Sequence, residues 1–159
     1  MARQPLDTVR SVLKGYADRG VFRSFSERPA GRGKTEFKFI WLAEGPFELL
    51  FDEKSATLRF RDLLGNMPAR SDLYAGVKSF VKERSDPSLP AHRRIDSKRA
   101  DLICSNRSGN VSIGLKVRNN QFTYGARKSV SLVSEIFQNL LYEPLYYEYM
   151  VANFELDQE

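Results

Sequence analysis

Hydrophobic residues recur at helical spacing in three separate stretches of the chain. The first is Leu6, Val9, Val12, Leu13 and Tyr16, the second is Leu73, Tyr74, Val77, Phe80 and Val81, and the third is Ala126, Val130, Val133, Phe137, Leu140 and Leu141. Spacings of three and four residues place each set on one face of an α-helix. Pro5 and Gly20 suit the two ends of the first helix, and Ser71 offers an N-cap for the second.

Between these helices, apolar and polar residues alternate, as they do in half-buried strands. The alternating sets are Phe37, Phe39 and Trp41; Phe47, Leu49 and Phe51; Leu58 and Phe60; and Val111, Ile113, Leu115 and Val117. A turn at Glu44-Gly45 and another at Ser108-Gly109-Asn110 separate neighbouring strands, and a weaker strand pattern covers Val21–Glu27. Connections of two to five residues are too short for parallel crossovers, so we expect antiparallel pairing.

The order of these elements predicts one α+β domain over residues 1–159. We expect a single twisted antiparallel sheet of five to six strands, with the helices mainly on one face, in the order α-β-β-β-(β)-α-β-β-α. The one long irregular connection is SDPSLPAHRRIDSKR, residues 85–99, and connections of this length are often functional or mobile.

Charge is distributed unevenly along the chain. The net charge is +5, and the six acids Glu135, Glu143, Glu148, Glu155, Asp157 and Glu159 account for −6, which leaves +11 on residues 1–134. No Lys or Arg follows residue 134. Such asymmetry bears on the choice of partners rather than on the fold.

The acidic segment 144–159 also belongs to the most tyrosine-rich part of the chain, LLYEPLYYEYMVANFELDQE. Read at helical spacing, Tyr142, Tyr146 and Tyr149 form one stripe, and Tyr147, Met150 or Val151, and Phe154 form another. A helix that is apolar on two sides must be covered on two sides. We therefore predict an interface for self-association or client docking at Tyr142, Tyr146, Tyr147, Tyr149, Met150 and Phe154. The alternative is a terminal helix that packs wholly within its own domain.

Two runs of basic residues suggest a second kind of partner. Residues 28–38 contain Arg32 and Lys34, and residues 92–99 contain Arg93, Arg94, Lys98 and Arg99. Together they could form a stripe that binds the phosphates of a nucleic acid. Two separate solvated loops are the plainer interpretation of such runs.

Candidate catalytic chemistry is weak. The stretch AGRGKTEF resembles the end of a phosphate-binding loop, but the required first glycine is replaced by Arg28, and a strand pattern rather than a helix follows. His92 is the only histidine and Cys104 the only cysteine, which argues against a His/Cys metal cluster. Cys104 suits a small apolar position in a strand. We expect no enzyme activity, no metal and no cofactor.

A cytoplasmic location is expected from three features of the sequence. The single cysteine allows no intramolecular disulfide, which suits a reducing compartment. The first residues, MARQPLDTVR, lack the apolar run of a signal peptide, and no run of about 18 apolar residues suggests a membrane span.

The order of elements over Leu6 to Phe154 resembles that of the YbjN-like family. The resemblance rests on SGNVSIGLKV, NNQFTYGARKSVSLVSEIFQNLL and PLYYEYMVANF. This bacterial family is described as regulators of sensory transduction and shares the fold of type III secretion chaperones. The resemblance implies a non-enzymatic, chaperone-like protein-binding or regulatory domain that acts as a homodimer. Those chaperones are typically acidic, whereas residues 1–134 of this chain are basic.

Overall fold

The computed structural model describes residues 4–43 and 45–154, where the chain forms four α-helices and one six-stranded sheet. The helices are α1 (Pro5–Asp18), α2 (Asp72–Glu83), α3 (Phe122–Gln138) and α4 (Tyr147–Phe154). The strands are β1 (Arg23–Pro29), β2 (Lys34–Ile40), β3 (Pro46–Asp52), β4 (Thr57–Leu64), β5 (Ala100–Arg107) and β6 (Asn110–Val117). Glu44 of one predicted turn and the acids Glu155, Asp157 and Glu159 lie outside the described residues.

The sheet confirms the predicted α+β class. Its strands follow the order β1-β2-β3-β4-β6-β5, and every neighbouring pair is antiparallel. One face carries the alternating apolar residues of the sequence, and the helices cover this face. Fully buried members of the face include Phe37, Phe39, Leu49, Leu58, Ile113 and Leu115. The weak strand pattern after residue 20 became β1, displaced a few residues toward the C-terminus.

The opposite face of the sheet carries a network of paired charges. Glu36 is only 3% exposed and lies between Arg28, at 3.1 Å, and Arg61. Arg61 also reaches Glu48, which pairs with Lys38 at 3.6 Å. The turn that resembled a phosphate-binding loop joins β1 to β2 beside this network, as the strand pattern predicted. Part of the basic run 28–38 is therefore neutralised within the protein.

The connection 85–99 is held against the helices along its length. The side chain of Ile95 is 3% exposed, and its backbone N–H donates to the carbonyl oxygen of Arg84 at 2.7 Å. The Lys128 ammonium donates to the carbonyl oxygens of Ala91 and His92 at 2.9 and 3.3 Å. The segment thus has defined contacts with α3 despite having only one 3-10 turn, Ala91–Arg93.

The C-terminal segment is less regular than its apolar spacing predicts. α3 ends at Gln138, and two 3-10 turns, Leu140–Tyr142 and Pro144–Tyr146, precede α4. Proline has no N–H to continue a helical ladder, so the chain restarts after Pro144 in a new register. Tyr142 and Tyr146 consequently do not share one helical stripe with Tyr149.

Tyr146 docks this segment onto α2. Its side chain is fully buried, and its hydroxyl donates to the carbonyl oxygen of Leu73 at 2.7 Å. The hydroxyl lies over Gly76, where an added methyl group would clash with it, while the ring carbon Cζ would remain 3.5 Å away. Glycine at this helical position therefore makes room for the tyrosine hydroxyl.

We predict that the effect of Gly76→Ala on stability changes sign with the residue at position 146. In the natural protein the clash should outweigh the gain in helix propensity and lower the free energy of unfolding by about 1–3 kcal/mol. With Tyr146→Phe the clash is removed, and Gly76→Ala should stabilise by up to about 1 kcal/mol. Urea unfolding of the four proteins tests this double-mutant cycle. Equal effects of Gly76→Ala in both backgrounds would contradict the docking contact.

Candidate functional site: the C-terminal segment and the basic residues

The predicted interface residues divide into a buried set and an exposed set. Tyr146, Tyr149 and Met150 are buried in their own domain at 0%, 7% and 9% exposure, and Phe154 is half-buried. The ring of Phe154 packs on Phe137, with 5.3 Å between ring centroids. For these four residues, packing within the domain accounts for their apolar character.

Two buried tyrosine hydroxyls fasten the segment to the body. The Tyr149 hydroxyl donates to the carbonyl oxygen of Gly65 at 2.6 Å, as Tyr146 does to Leu73. Burial raises the pKa of Tyr146 to about 12, with a smaller contribution from the negative charge of Glu143. Burial also raises the pKa of Tyr149 well above its usual range. Both hydroxyls therefore remain protonated donors at neutral pH.

Tyr142, Leu145 and Tyr147 face solvent, and we call them the tail patch. They are 81%, 54% and 61% exposed, and the only other exposed large hydrophobic residue in the described ranges is Val21, at 41%. A shallow groove of about 640 Å³ runs beside Tyr142 and Tyr147 and is lined also by Leu141, Pro144 and Met150. Exposed apolar side chains that line one groove, as Tyr142 and Tyr147 do, are less common on a protein surface than single exposed apolar residues.

Acidic side chains accompany the tail patch. Glu143 and Glu148 are both exposed and follow Tyr142 and Tyr147 directly in the sequence. Neither carboxylate forms an ion pair with a described basic residue. The patch thus combines aromatic and aliphatic surface with uncompensated negative charge.

The two basic runs lie at the same end of the sheet but do not meet. Successive register pairs connect Lys34 to Asp52, Thr57, Lys116 and finally Asp101, four strand spacings away. At about 4.8 Å per strand, Lys34 is about 19 Å from Asp101, which lies two residues after the second run. The predicted single stripe from Arg32 and Lys34 to residues 92–99 is therefore two separate surfaces.

Within the 92–99 run, some basic residues form ion pairs with carboxylates and others do not. Arg93 lies 3.2 Å from Glu135, which also binds the buried guanidinium of Arg84 at 2.7 Å. Lys98 is exposed, and no described residue forms an ion pair with it. Arg94 and Arg99 donate instead to neutral acceptors, the carbonyl oxygen of Pro87 at 3.0 Å and the amide oxygen of Gln121 at 2.7 Å.

Two cations, Arg99 and Lys128, lie over the ring of Tyr124, and the charge of Arg94 acts on Lys128. We call Arg94, Arg99 and Lys128 the Tyr124 cluster. The Arg99 guanidinium lies 3.8 Å from the ring centroid and the Lys128 ammonium 5.7 Å from it. Burial lowers the pKa of Lys128; Glu135 opposes this shift, and the charges of Arg99 and Arg94 add to it. None of the three pairs with a carboxylate in the described ranges, so their charge remains available.

Sequence reasoning missed Leu145 of the tail patch and Lys128 and Tyr124 of the cationic cluster. Lys128 lies on α3, away from the basic run that it joins in space, and no local pattern marks it. Leu145 could have been found, because it lies between Pro144 and Tyr146 at the point where the helix restarts. The restart changes which side chains share a face.

Cys104 and His92 lie in different parts of the structure, one in a strand and the other in a 3-10 turn. Cys104 occupies β5, and its thiol lies 3.9 Å from the Tyr74 hydroxyl, while burial raises its pKa. His92 is exposed in the 3-10 turn of the 85–99 connection. Among residues 4–43 and 45–154, no group of three or more His, Cys, Asp or Glu side chains is placed to hold a metal ion.

Comparison with known proteins adds no relative to these observations. No protein-family model, no curated protein and no solved structure matches the chain. Among the described helices, none combines the length and the apolar character that a bilayer crossing requires.

We predict that Glu135 contributes much more stability than an exposed acid does. Glu135→Gln leaves the Arg84 guanidinium, whose side chain is 7% exposed, without its carboxylate. Breaking a buried pair in this way should lower the free energy of unfolding by about 3 kcal/mol. The control is Asp18→Asn, which removes a solvent-exposed pair with Lys14 and should cost about 0–1 kcal/mol. Similar urea midpoints for the two variants would contradict this assignment.

Proposed function

We propose that this protein is a non-enzymatic, chaperone-like protein-binding module that acts as a homodimer and docks a partner segment on the tail patch. The observation that carries the proposal is the solvent exposure of Tyr142, Leu145 and Tyr147 in a segment whose other large side chains are buried against the body of the domain. Aromatic anchors held on a fixed surface lose little conformational freedom on binding, which favours affinity. The resemblance to the YbjN-like family and to type III secretion chaperones supports the same assignment.

The chemistry around the tail patch selects its partner. Apolar side chains of the partner would enter the groove beside Tyr142 and Tyr147, and basic side chains would meet Glu143 and Glu148. A rim of uncompensated carboxylates increases the association rate of basic partners and disfavours acidic ones. We therefore propose a segment with both apolar and Lys or Arg side chains as the docking partner.

We predict that matched peptides distinguish this partner chemistry. Two sets of fluorescent 12-residue peptides share their apolar residues and carry either Lys and Arg or Asp and Glu at the remaining positions. The basic set should bind more tightly, and Tyr142→Ser with Tyr147→Ser should weaken it about tenfold or more, since anchor residues often contribute about 2 kcal/mol. Fluorescence anisotropy measures both effects.

The control for this experiment is Val21→Ser, which removes the exposed apolar residue outside the tail patch. It should leave peptide affinity unchanged. Equal binding of the two peptide sets, or full binding by the double variant, would overturn the docking assignment. Circular dichroism spectra should match for all variants because the substituted residues are exposed.

A second candidate function is nucleic-acid association through the Tyr124 cluster. The observation that favours it is the absence of carboxylate partners for Arg94, Arg99 and Lys128 within the described residues. Cations that bind phosphates release counterions from the nucleic acid, and affinity then falls steeply with salt. Arg32 and Lys34 lie too far away to share one ligand phosphate with this cluster.

We predict a salt-dependent affinity that depends on these three residues. For a 20-nucleotide single strand, log affinity falls as log salt rises. In the triple variant Arg94→Gln, Arg99→Gln and Lys128→Gln this slope should become less steep by about 2–3. The control Arg32→Gln with Lys34→Gln should leave most of that slope. An affinity that does not change between 50 and 200 mM salt would exclude this second function.

A further inference from the structure

β5 forms one edge of the sheet and is regular along its whole length. All eight residues from Ala100 to Arg107 pair in unbroken register with β6. No proline interrupts the strand, and no charged residue lies between Asp101 and Arg107. An uninterrupted edge presents a row of backbone donors and acceptors that another strand can pair with.

The β5–β6 turn determines which backbone groups point outward. Arg107 pairs with Asn110 across the two-residue turn Ser108-Gly109, in which both residues have positive φ. A tight hairpin of this kind begins with a hydrogen-bonded pair, and hydrogen-bonded and non-hydrogen-bonded pairs then alternate. The N–H and C=O groups of Leu102, Cys104 and Asn106 therefore point away from β6. Within the described residues, these outward backbone groups have no hydrogen-bond partner.

The other edge, β1, differs in ways that hinder strand pairing. Its pairing with β2 is interrupted between Arg23 and Ser26, and Ser24 has a φ of 53°. Pro29 removes a donor at one end, and Arg10 of α1 clamps Glu27 at 2.6 Å. Bulges, proline and charge are the usual means by which proteins protect an edge. β5 has none of them between residues 102 and 106.

We infer that β5 pairs antiparallel with β5 of a second copy of this chain, with the two-fold axis at Cys104, so that the two six-stranded sheets become one continuous sheet. Each outward group then finds a partner: Cys104 exchanges hydrogen bonds with its own copy, and Leu102 with Asn106 of the copy. The inference deepens the proposed function, because it assigns a surface to the proposed homodimer.

Charge complementarity selects this register. An axis at Cys104 places Asp101 opposite Arg107 of the copy, twice per dimer, on the face of the sheet away from the helices. Asp101 already binds Arg118 of its own chain at 2.8 Å, whereas Arg107 forms no ion pair with a described residue and would gain one in this register. An axis at Ile103 would oppose Asp101 to Ser105 instead, and an axis at Ser105 would leave Asp101 beyond the strand of the copy. Opposite charges in directly facing positions stabilise a strand pair, so the Cys104 register is preferred.

α2 lies beside the proposed seam. The Tyr74 hydroxyl of α2 lies 3.9 Å from the Cys104 thiol, so α2 covers β5 on the helical face of the sheet. The two-fold axis at Cys104 places the α2 helices of both copies on the same face of the joined sheet.

Engineered cysteines test the register directly. In the full chain with Cys104→Ser, a variant with Ile103→Cys is mixed with a variant with Ser105→Cys, and intermolecular disulfides should form with oxidised glutathione. Residue 103 faces residue 105 of the copy in this register, and the facing Cα atoms lie about 4.5 Å apart, which a disulfide can span. Asp101 and Arg107 keep their charges in both variants. The register controls are the two variants alone, because Ile103→Cys would cross-link with itself about an axis at Ile103, and Ser105→Cys about an axis at Ser105.

Light scattering and non-reducing gels separate the outcomes. A dimeric natural protein with cross-linking in the mixture and little in either variant alone confirms the inference. A dimer that does not cross-link in the mixture, or that cross-links equally in one variant alone, overturns the β5 register while leaving the proposed homodimer in place. A dimer abolished by Tyr142→Ser with Tyr147→Ser also overturns it, and moves self-association to the tail patch. A monomeric mass at 100 μM would overturn both the inference and the proposed homodimer.

Discussion

The Tyr146 hydroxyl, held by the Leu73 carbonyl oxygen above Gly76, sets the orientation of the whole C-terminal segment. With that ring buried, the 3-10 turns on either side of Glu143 can expose only the remaining apolar residues, and the tail patch is therefore turned outward. A longer side chain at position 76 would displace the tyrosine and with it the tail patch. The candidate docking surface thus depends on an interaction between two residues 70 positions apart in the chain.

Ion pairs with carboxylates neutralise some of the basic residues on the protein surface and leave others unpaired. Glu36 and Glu48 neutralise cations on the open face of the sheet, and Glu135 takes up two arginines where the 85–99 connection meets α3. Among the described residues, the cations gathered around Tyr124 form a small cluster rather than part of a continuous stripe. A surface of that size can hold a few phosphates, whereas the tail patch offers both an apolar groove and a complementary charge. The balance of these two surfaces is why protein binding is the first proposal and nucleic-acid association the second.

The sequence predicts most of the fold because alternation and helical spacing are local properties. The buried strand positions of Phe39 and Leu49 follow directly from alternation, and the Ser71 cap, whose hydroxyl accepts from a backbone N–H at 3.2 Å, follows from its place before a helical stripe. The C-terminal segment could not be predicted in detail, because Pro144 changes the helical register and only packing decides which tyrosines are buried. The Tyr124 cluster also depends on long-range contacts, since Lys128 meets the basic run only when the 85–99 connection lies on α3.

The two proposed surfaces have different physical requirements, and this permits both to operate at once. Strand pairing at β5 uses backbone groups that every residue possesses, so it needs an uninterrupted edge rather than particular large side chains. Docking at the tail patch instead depends on exposed rings and on the carboxylates of Glu143 and Glu148. Self-association through β5 uses none of the tail-patch side chains, whereas self-association through the tail would cover them. A dimer built on β5 therefore presents two equivalent docking surfaces, which would raise the avidity for a partner that carries two suitable segments.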